Sequence, residues 1–93
     1  MMFNRDTNRN FFSSALITEV WCKGKIIDNY PASEWRYDSY GDPIKYNDYG
    51  NINSKYGWEI DHIFPVSKGG SDNLPNLQPL QWENNRKKGD IYP

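Results

Sequence analysis

The stretch WEIDHIFPVSKGGSDNLPNLQPLQWENNRKKGD, residues 58–90, decides the fold of this chain. It opens with the apolar run WEIDHIF, which is typical of a strand and is ended by Pro65. A loop rich in Gly, Asn, Asp and Pro follows, and LQPL at 77–80 is long enough only for a strand that returns beside the first. The segment LQWENNRKK then predicts a helix of about two turns, which Gly89 ends as a C-terminal cap. The predicted order is strand, loop, strand, short helix.

Upstream of this unit, the pattern predicts one helix and one hairpin. Residues 13–23, SSALITEVWCK, predict a short helix, because Ser13 can cap its first turn and apolar residues recur at helical spacing. Residues 35–46, WRYDSYGDPIKY, predict a β-hairpin whose turn lies near Gly41 and Asp42. Residues 1–12 are mostly polar and predict a frayed end. We therefore expect one small α+β domain over residues 13–93.

Composition limits the core and the class of protein. With 93 residues the chain is near the lower end of what folds alone, so its 16% aromatic residues should dominate the core. The lone cysteine, Cys22, excludes an internal disulfide and a zinc site built on cysteine pairs, so no structural zinc is expected. No stretch has the length of a signal peptide's apolar region or of a membrane span. The expected location is therefore the cytoplasm, with no membrane partner.

The only histidine of the chain, His62, follows Asp61 at the end of the first predicted strand. A carboxylate oxygen is the kind of ligand that Mg²⁺ or Mn²⁺ prefers, and an imidazole is the one side chain that ordinarily changes charge near neutral pH. A cation that polarises a phosphoryl oxygen and a base that deprotonates water are together sufficient to cut a phosphodiester. The alternative is that His62 only packs at a strand end.

Two asparagines extend this pattern. Asn85 lies in the predicted helix, where asparagine is a poor helix former because its amide competes for backbone hydrogen bonds. Its amide oxygen would be a second oxygen ligand, and a neutral one, for the cation bound by Asp61. The alternative is that Asn85 only belongs to a solvated polar face of the helix. Asn76 lies in the loop after Pro75, where asparagine is common in any case. Its functional interpretation is to orient the His62 imidazole by hydrogen bonding.

A basic cluster ends the predicted helix of a chain whose net charge is -1. Arg86, Lys87 and Lys88 directly follow Asn85, and they are expected to contact DNA phosphates together with Lys68 of the loop. The alternative is that cations near a helix C-terminus only stabilise the helix dipole.

Taken together, residues 58–90 resemble the HNH endonuclease family, whose fold is the ββα-metal (His-Me finger) unit of strand, loop, strand and helix. His62 matches the first histidine of the family pattern, Asn76 the middle asparagine, Asn85 the last position and Asp61 the acidic residue before the histidine. The resemblance implies that Asp61 and Asn85 bind one divalent cation, Mg²⁺ or Mn²⁺, that His62 activates water and that Asn76 positions His62. Two features of this chain depart from the family. It has one cysteine, whereas many relatives carry a cysteine-based zinc support, and its net charge is -1, whereas many relatives are basic.

The expected function is therefore metal-dependent hydrolysis of DNA phosphodiester bonds, as nicks with low sequence specificity. No recognition helix with base-reading side chains is evident, so target choice would come from a partner protein, a homodimer or the loop near Lys68. Two alternatives stay open at this point. One is a non-catalytic nucleic-acid-binding module on the same fold, and the other is an HNH nuclease that acts on RNA or on structured junctions.

Overall fold

The computed structural model describes residues 2–93, which form an α+β structure with two α-helices and two small sheets. The elements, in chain order, are α1 Ser14–Trp21, β1 Lys25–Ile26, β2 Trp35–Tyr37, β3 Pro43–Lys45, β4 Trp58–His62, β5 Leu77–Gln81 and α2 Trp82–Lys88. No helix within residues 2–93 has the length and apolar character needed to cross a membrane.

The first helix and the hairpin follow their local sequence signals. Ser13 caps α1, since its hydroxyl accepts a hydrogen bond from the Leu16 N–H at 3.2 Å. Strands β1, β2 and β3 form an antiparallel sheet in that order, and Tyr37 pairs with Pro43 at the hairpin end. Gly41 lies in the turn at φ 93°, a left-handed conformation that favours glycine. The predicted helix and hairpin are both confirmed.

The second sheet consists of β4 and β5, which pair antiparallel from Trp58 opposite Gln81 to His62 opposite Leu77. Helix α2 follows β5 without a connecting loop. Gln81 begins this helix, because its side-chain oxygen accepts the N–H groups of Glu83 and Asn84 at 2.9 and 3.1 Å. The predicted order of strand, loop, strand and helix is therefore confirmed, and it brings α2 beside β4.

The core is built around the fully buried indole of Trp58. The ring centroids of Tyr49 and Trp21 lie 4.8 and 5.3 Å from that of Trp58, and the indole N–H donates to the Tyr46 carbonyl at 3.2 Å. Further buried apolar residues complete the cluster: Phe12, Val20, Ile44, Ile60 and Leu77. The expected predominance of aromatic side chains agrees with this arrangement.

The N-terminal segment differs from the predicted frayed end. Asn4 accepts hydrogen bonds from the Ile60 N–H at 2.9 Å and from the Tyr49 hydroxyl at 2.7 Å, and Phe12 is buried in the core. These contacts attach Asn4 to β4 and Phe12 to the core, and the sequence does not indicate them because their partners lie far along the chain. The part of the prediction that concerns Met1 lies outside the described residues.

Candidate functional site

A cavity of about 610 Å³ lies where the end of β4 faces α2, and Asp61, His62 and Asn85 all line it. All three are buried, with exposed fractions of 6%, 8% and 2%. The rest of the wall comes from the N-terminal segment and from the loop and chain ends around it, including Asn4, Asp6, Thr7, Pro65, Ser67 and Asp90. The structure thus places the predicted base beside the two predicted metal ligands.

The Asp61 carboxylate is bound by two side chains on neighbouring elements. Gln78, its partner across the sheet, donates to Oδ2 at 2.9 Å, and the Lys88 ammonium lies 3.1 Å from the same oxygen. Lys88 also donates to the His62 carbonyl oxygen at 3.1 Å. Burial raises the pKa of the Asp61 carboxyl, against the opposing effects of the Gln78 hydrogen bond and the Lys88 charge. The positive charge of Lys88 therefore favours the ionised form of the Asp61 carboxyl, which burial alone would disfavour.

Asn85 is oriented by a carboxylate behind it. Its amide nitrogen donates to Glu59 Oε1 at 2.9 Å, and Arg86 binds both oxygens of the same carboxylate. Because an ionised carboxylate only accepts hydrogen bonds, this contact fixes which end of the amide is nitrogen. The Asn85 Oδ1 atom has no hydrogen-bond partner within residues 2–93, where no fully buried side-chain N or O lacks one. This oxygen therefore remains accessible at the cavity wall.

Asn76 contacts the backbone that follows His62. Its side-chain oxygen accepts the Phe64 N–H at 2.8 Å, and its amide nitrogen donates to the carbonyls of Phe64 and Ser71 at 3.1 and 2.8 Å. The Asn76 carbonyl also accepts the Ile63 N–H at 2.8 Å. The prediction of a hydrogen bond between Asn76 and the imidazole is wrong for this structure, because the Asn76 side chain binds these backbone groups instead.

The imidazole is instead bound by Asp72, a residue that the sequence did not indicate. His62 Nε2 lies 2.8 Å from Asp72 Oδ1, across the loop that joins β4 to β5. The only available signal was an acidic residue within SDN, residues 71–73, and such residues are common in turns for other reasons.

A family model described as HNH endonuclease matches residues 40–93, which is more than half of the chain. The chain belongs to the HNH endonuclease family. This match supports the resemblance found in residues 58–90 and indicates a nuclease with a nucleic-acid substrate, in a family that generally uses a divalent metal. No curated protein and no solved structure matches the chain significantly.

The basic residues of the HNH protein differ in their availability to a substrate. Arg86 binds Glu59 with N···O distances of 3.1 and 2.9 Å, and the Lys88 side chain is 8% exposed beside Asp61. The Lys68 ammonium lies on the surface and donates to the Asp90 carbonyl at 3.2 Å. Lys87 is exposed and makes no hydrogen bond or ion pair with any of residues 2–93. Lys87 is therefore the basic side chain of α2 that is most available for a phosphate.

The donor set of the HNH site suits a hard divalent cation. Within residues 2–93 there is no group of three or more His, Cys, Asp or Glu side chains placed to hold a metal ion. The available donors are instead the Asp61 carboxylate and the accessible Asn85 amide oxygen, which line the same cavity. Oxygen donors of this kind would suit a hard divalent cation.

Proposed function

We propose that this HNH protein is a metal-dependent endonuclease that hydrolyses DNA phosphodiester bonds as single-strand nicks with little sequence preference. The observation that carries the proposal is the shared cavity of His62, Asp61 and Asn85 in a chain of this family. Within residues 2–93, one cavity is lined by all three of these side chains, and a single site of this kind favours cleavage of one strand at a time. We propose that β4, β5 and α2, with the loop between the strands, form the ββα-metal unit of the family.

Low sequence preference is supported by the contacts of α2, the helix nearest the cavity. Asn84 donates to the carboxylates of Asp38 and Asp42, Asn85 and Arg86 bind Glu59, and Lys88 binds Asp61. Direct base readout requires side chains that are free to reach base edges in a groove. Since these polar side chains are already bound within the protein, they are not free to read bases, and Lys87 remains available for a phosphate contact.

The chain divides the chemistry between proton transfer and charge stabilisation. His62 accepts one proton from water, and the water oxygen bonds to phosphorus while the bond from phosphorus to the leaving sugar oxygen breaks. Asp61 and Asn85 would hold the divalent cation, which supplies charge stabilisation for the phosphoryl group and the leaving oxygen. Asn76 positions His62 through the backbone of Ile63 and Phe64.

One observation favours the alternative of a binding module without turnover. The Lys88 ammonium already supplies a positive charge to Asp61 at 3.1 Å, so the carboxylate is neutralised without a metal. In that case Asp61 and Lys88 would form a structural ion pair, and the cavity would bind nucleic acid without cleaving it.

A cleavage assay on several substrates tests the proposal. Purified protein is incubated with supercoiled plasmid, linear duplex, an RNA hairpin and a four-way junction, with Mg²⁺ or with a chelator. Open-circular plasmid that forms only with the metal supports DNA nicking. Tight DNA binding without cleavage of any substrate would favour the binding module, and cleavage confined to RNA or to the junction would change the substrate class.

Metal removal is expected to stop cleavage and leave the fold intact. Addition of a chelator should abolish nicking, and Mg²⁺ or Mn²⁺ should restore it, because the donors are oxygen atoms. The circular dichroism spectrum should not change, since the core is apolar and no cysteine cluster holds the fold together. Unfolding of the purified protein in the chelator would contradict this and would indicate a structural metal.

Replacement of Lys87 is expected to weaken DNA binding equally on all sequences. Lys87→Ala should reduce the slope of log affinity against log salt concentration by roughly 1, as release of one counterion requires. Lys25→Ala provides the matched control, because Lys25 is also exposed but lies on β1 of the other sheet. Fluorescence anisotropy with two unrelated duplexes measures both quantities. Equal slopes for Lys87→Ala and the wild type would remove Lys87 from the interface.

A further inference from the structure

The contact between His62 and Asp72 involves a residue that is not part of the HNH pattern. The imidazole side chain is 9% exposed, and its Nε2 atom lies 2.8 Å from an oxygen of Asp72. On another side the Phe12 ring packs against it with a centroid distance of 6.0 Å. The orientation of the imidazole is therefore set by a carboxylate ten residues along the chain and by the N-terminal segment.

Asp72 is itself fixed by Thr7. The Thr7 N–H lies 3.1 Å from both carboxylate oxygens, and the Thr7 hydroxyl donates to Oδ2 at 2.7 Å. Thr7 is presented by a tight turn, in which the Asp6 side chain accepts the N–H groups of Asn8 and Asn10 at 2.8 and 2.9 Å. Partial burial alone would raise the pKa of the Asp72 carboxyl, but the hydrogen bonds from His62 and Thr7 outweigh it and lower that pKa.

An ionised Asp72 determines which imidazole nitrogen carries the proton. A carboxylate only accepts hydrogen bonds, so in the neutral imidazole the bound Nε2 must be the protonated nitrogen. The lone pair then lies on Nδ1, which has no hydrogen-bond partner within residues 2–93, where no fully buried side-chain nitrogen lacks one. Nδ1 is therefore accessible, and His62 lines the cavity together with Asp61 and Asn85.

We propose that Asp72, fixed by Thr7, is a positioning residue that holds neutral His62 as the Nε2–H tautomer and leaves Nδ1 to accept a proton from water. The inference rests on the proposed function, since it gives atomic detail to the role of His62 as the base. The competing interpretation is that Asp72 only ties the N-terminal segment to the loop.

Replacement of Asp72 by asparagine separates the two interpretations. In Asp72→Asn, the N–H and hydroxyl donors of Thr7 would bind the amide oxygen, which turns the amide nitrogen toward the imidazole. Nε2 would then have to accept a hydrogen bond, so the neutral imidazole would become the Nδ1–H tautomer. A tie between segment and loop would survive this change, but a base that depends on Nδ1 would not.

Nuclear magnetic resonance can measure the tautomer directly, because His62 is the only histidine in the chain. A long-range ¹H–¹⁵N spectrum of metal-free, ¹⁵N-labelled protein, at a pH where the imidazole is neutral, should show protonated Nε2 in the wild type. Asp72→Asn should shift the population toward protonated Nδ1. Asp90→Asn, which removes a negative charge at the same cavity without touching the imidazole, should leave the tautomer unchanged.

Single-turnover plasmid nicking supplies the second measurement. Asp72→Asn should lower the rate by about 10² to 10⁴-fold, as loss of a general base or of its orienting aspartate does in other enzymes, with unchanged Mn²⁺ affinity by titration calorimetry. The inference is overturned if the wild-type imidazole is the Nδ1–H tautomer, or if Asp72→Asn retains both the wild-type tautomer and the wild-type rate.

The two proposals can fail separately. A wild-type protein that shows the Nε2–H tautomer, changes it in Asp72→Asn and cleaves nothing would end the nuclease proposal but keep Asp72 as the residue that sets the tautomer. A wild-type protein that nicks plasmid while its imidazole is the Nδ1–H tautomer would support the nuclease proposal and end the proposed role of Asp72. If Asp72→Asn fails to fold, the wild-type spectrum still shows which tautomer is present. Thr7→Val is then the milder variant, because it removes only the hydroxyl that donates to Asp72.

Discussion

His62→Ala is expected to lower the single-turnover rate of plasmid nicking by about 10² to 10⁴-fold, the usual contribution of a general base. The variant should still fold, because the His62 ring lies at the edge of the core cluster and not within it. It should also still bind Mn²⁺ and DNA, since Asp61, Asn85 and Lys87 remain in place. Rates are measured with enzyme in excess over plasmid, so that product release does not limit them.

His62→Gln provides the matched control, because glutamine can still donate a hydrogen bond to Asp72 but cannot take a proton from water near neutral pH. A role as base predicts that the two variants lose activity to a similar extent. A scaffold role predicts that His62→Gln retains most of it. Equal rates for the wild type and His62→Ala would end the proposal that this histidine is the base.

Trp58→Ala is expected to lower the free energy of unfolding by about 3–5 kcal/mol, the range found for removal of a buried large aromatic side chain. Trp58 is fully buried against Trp21 and Tyr49, and the loss is comparable to much of the total stability of a small domain. Urea denaturation followed by circular dichroism gives the value, with unchanged slope as the test of two-state behaviour.

Trp58→Phe serves as the conservative comparison for this position. It keeps an aromatic ring in the core but loses part of the volume and the indole N–H bond to the Tyr46 carbonyl. Its loss of stability should be clearly smaller than that of Trp58→Ala. A cost below about 1 kcal/mol for Trp58→Ala would contradict the central place of this indole in the core.

The elements of the fold could be predicted from the sequence because their signals are local. The Ser13 cap, the glycine turn at Gly41 and the capped segment before Gly89 each lie within a few residues of the structure that they specify. The arrangement of Asp61, His62 and Asn85 could be predicted for a related reason. An antiparallel strand pair followed directly by a helix leaves little freedom for where these side chains lie.

The remaining features depend on contacts across the whole chain, for which the sequence has no local signal. Thr7 and Asp72 are separated by 65 positions, and Asn4 and Ile60 by 56, so neither pair could be inferred from spacing. The sequence also could not indicate which residues of the basic cluster, Arg86, Lys87 and Lys88, are available to bind DNA. Whether a lysine is free for DNA depends on which carboxylate the fold places beside it, as Lys88 and Asp61 illustrate.

The attachment of the N-terminal segment to the loop also bears on synthesis by the ribosome. Thr7 is translated long before Asp72, and Asn85 and Lys88 are translated later still, so a growing chain cannot hold its histidine and its oxygen donors in one place. We therefore expect nascent chains to remain inert toward nearby nucleic acid until translation of α2 is complete.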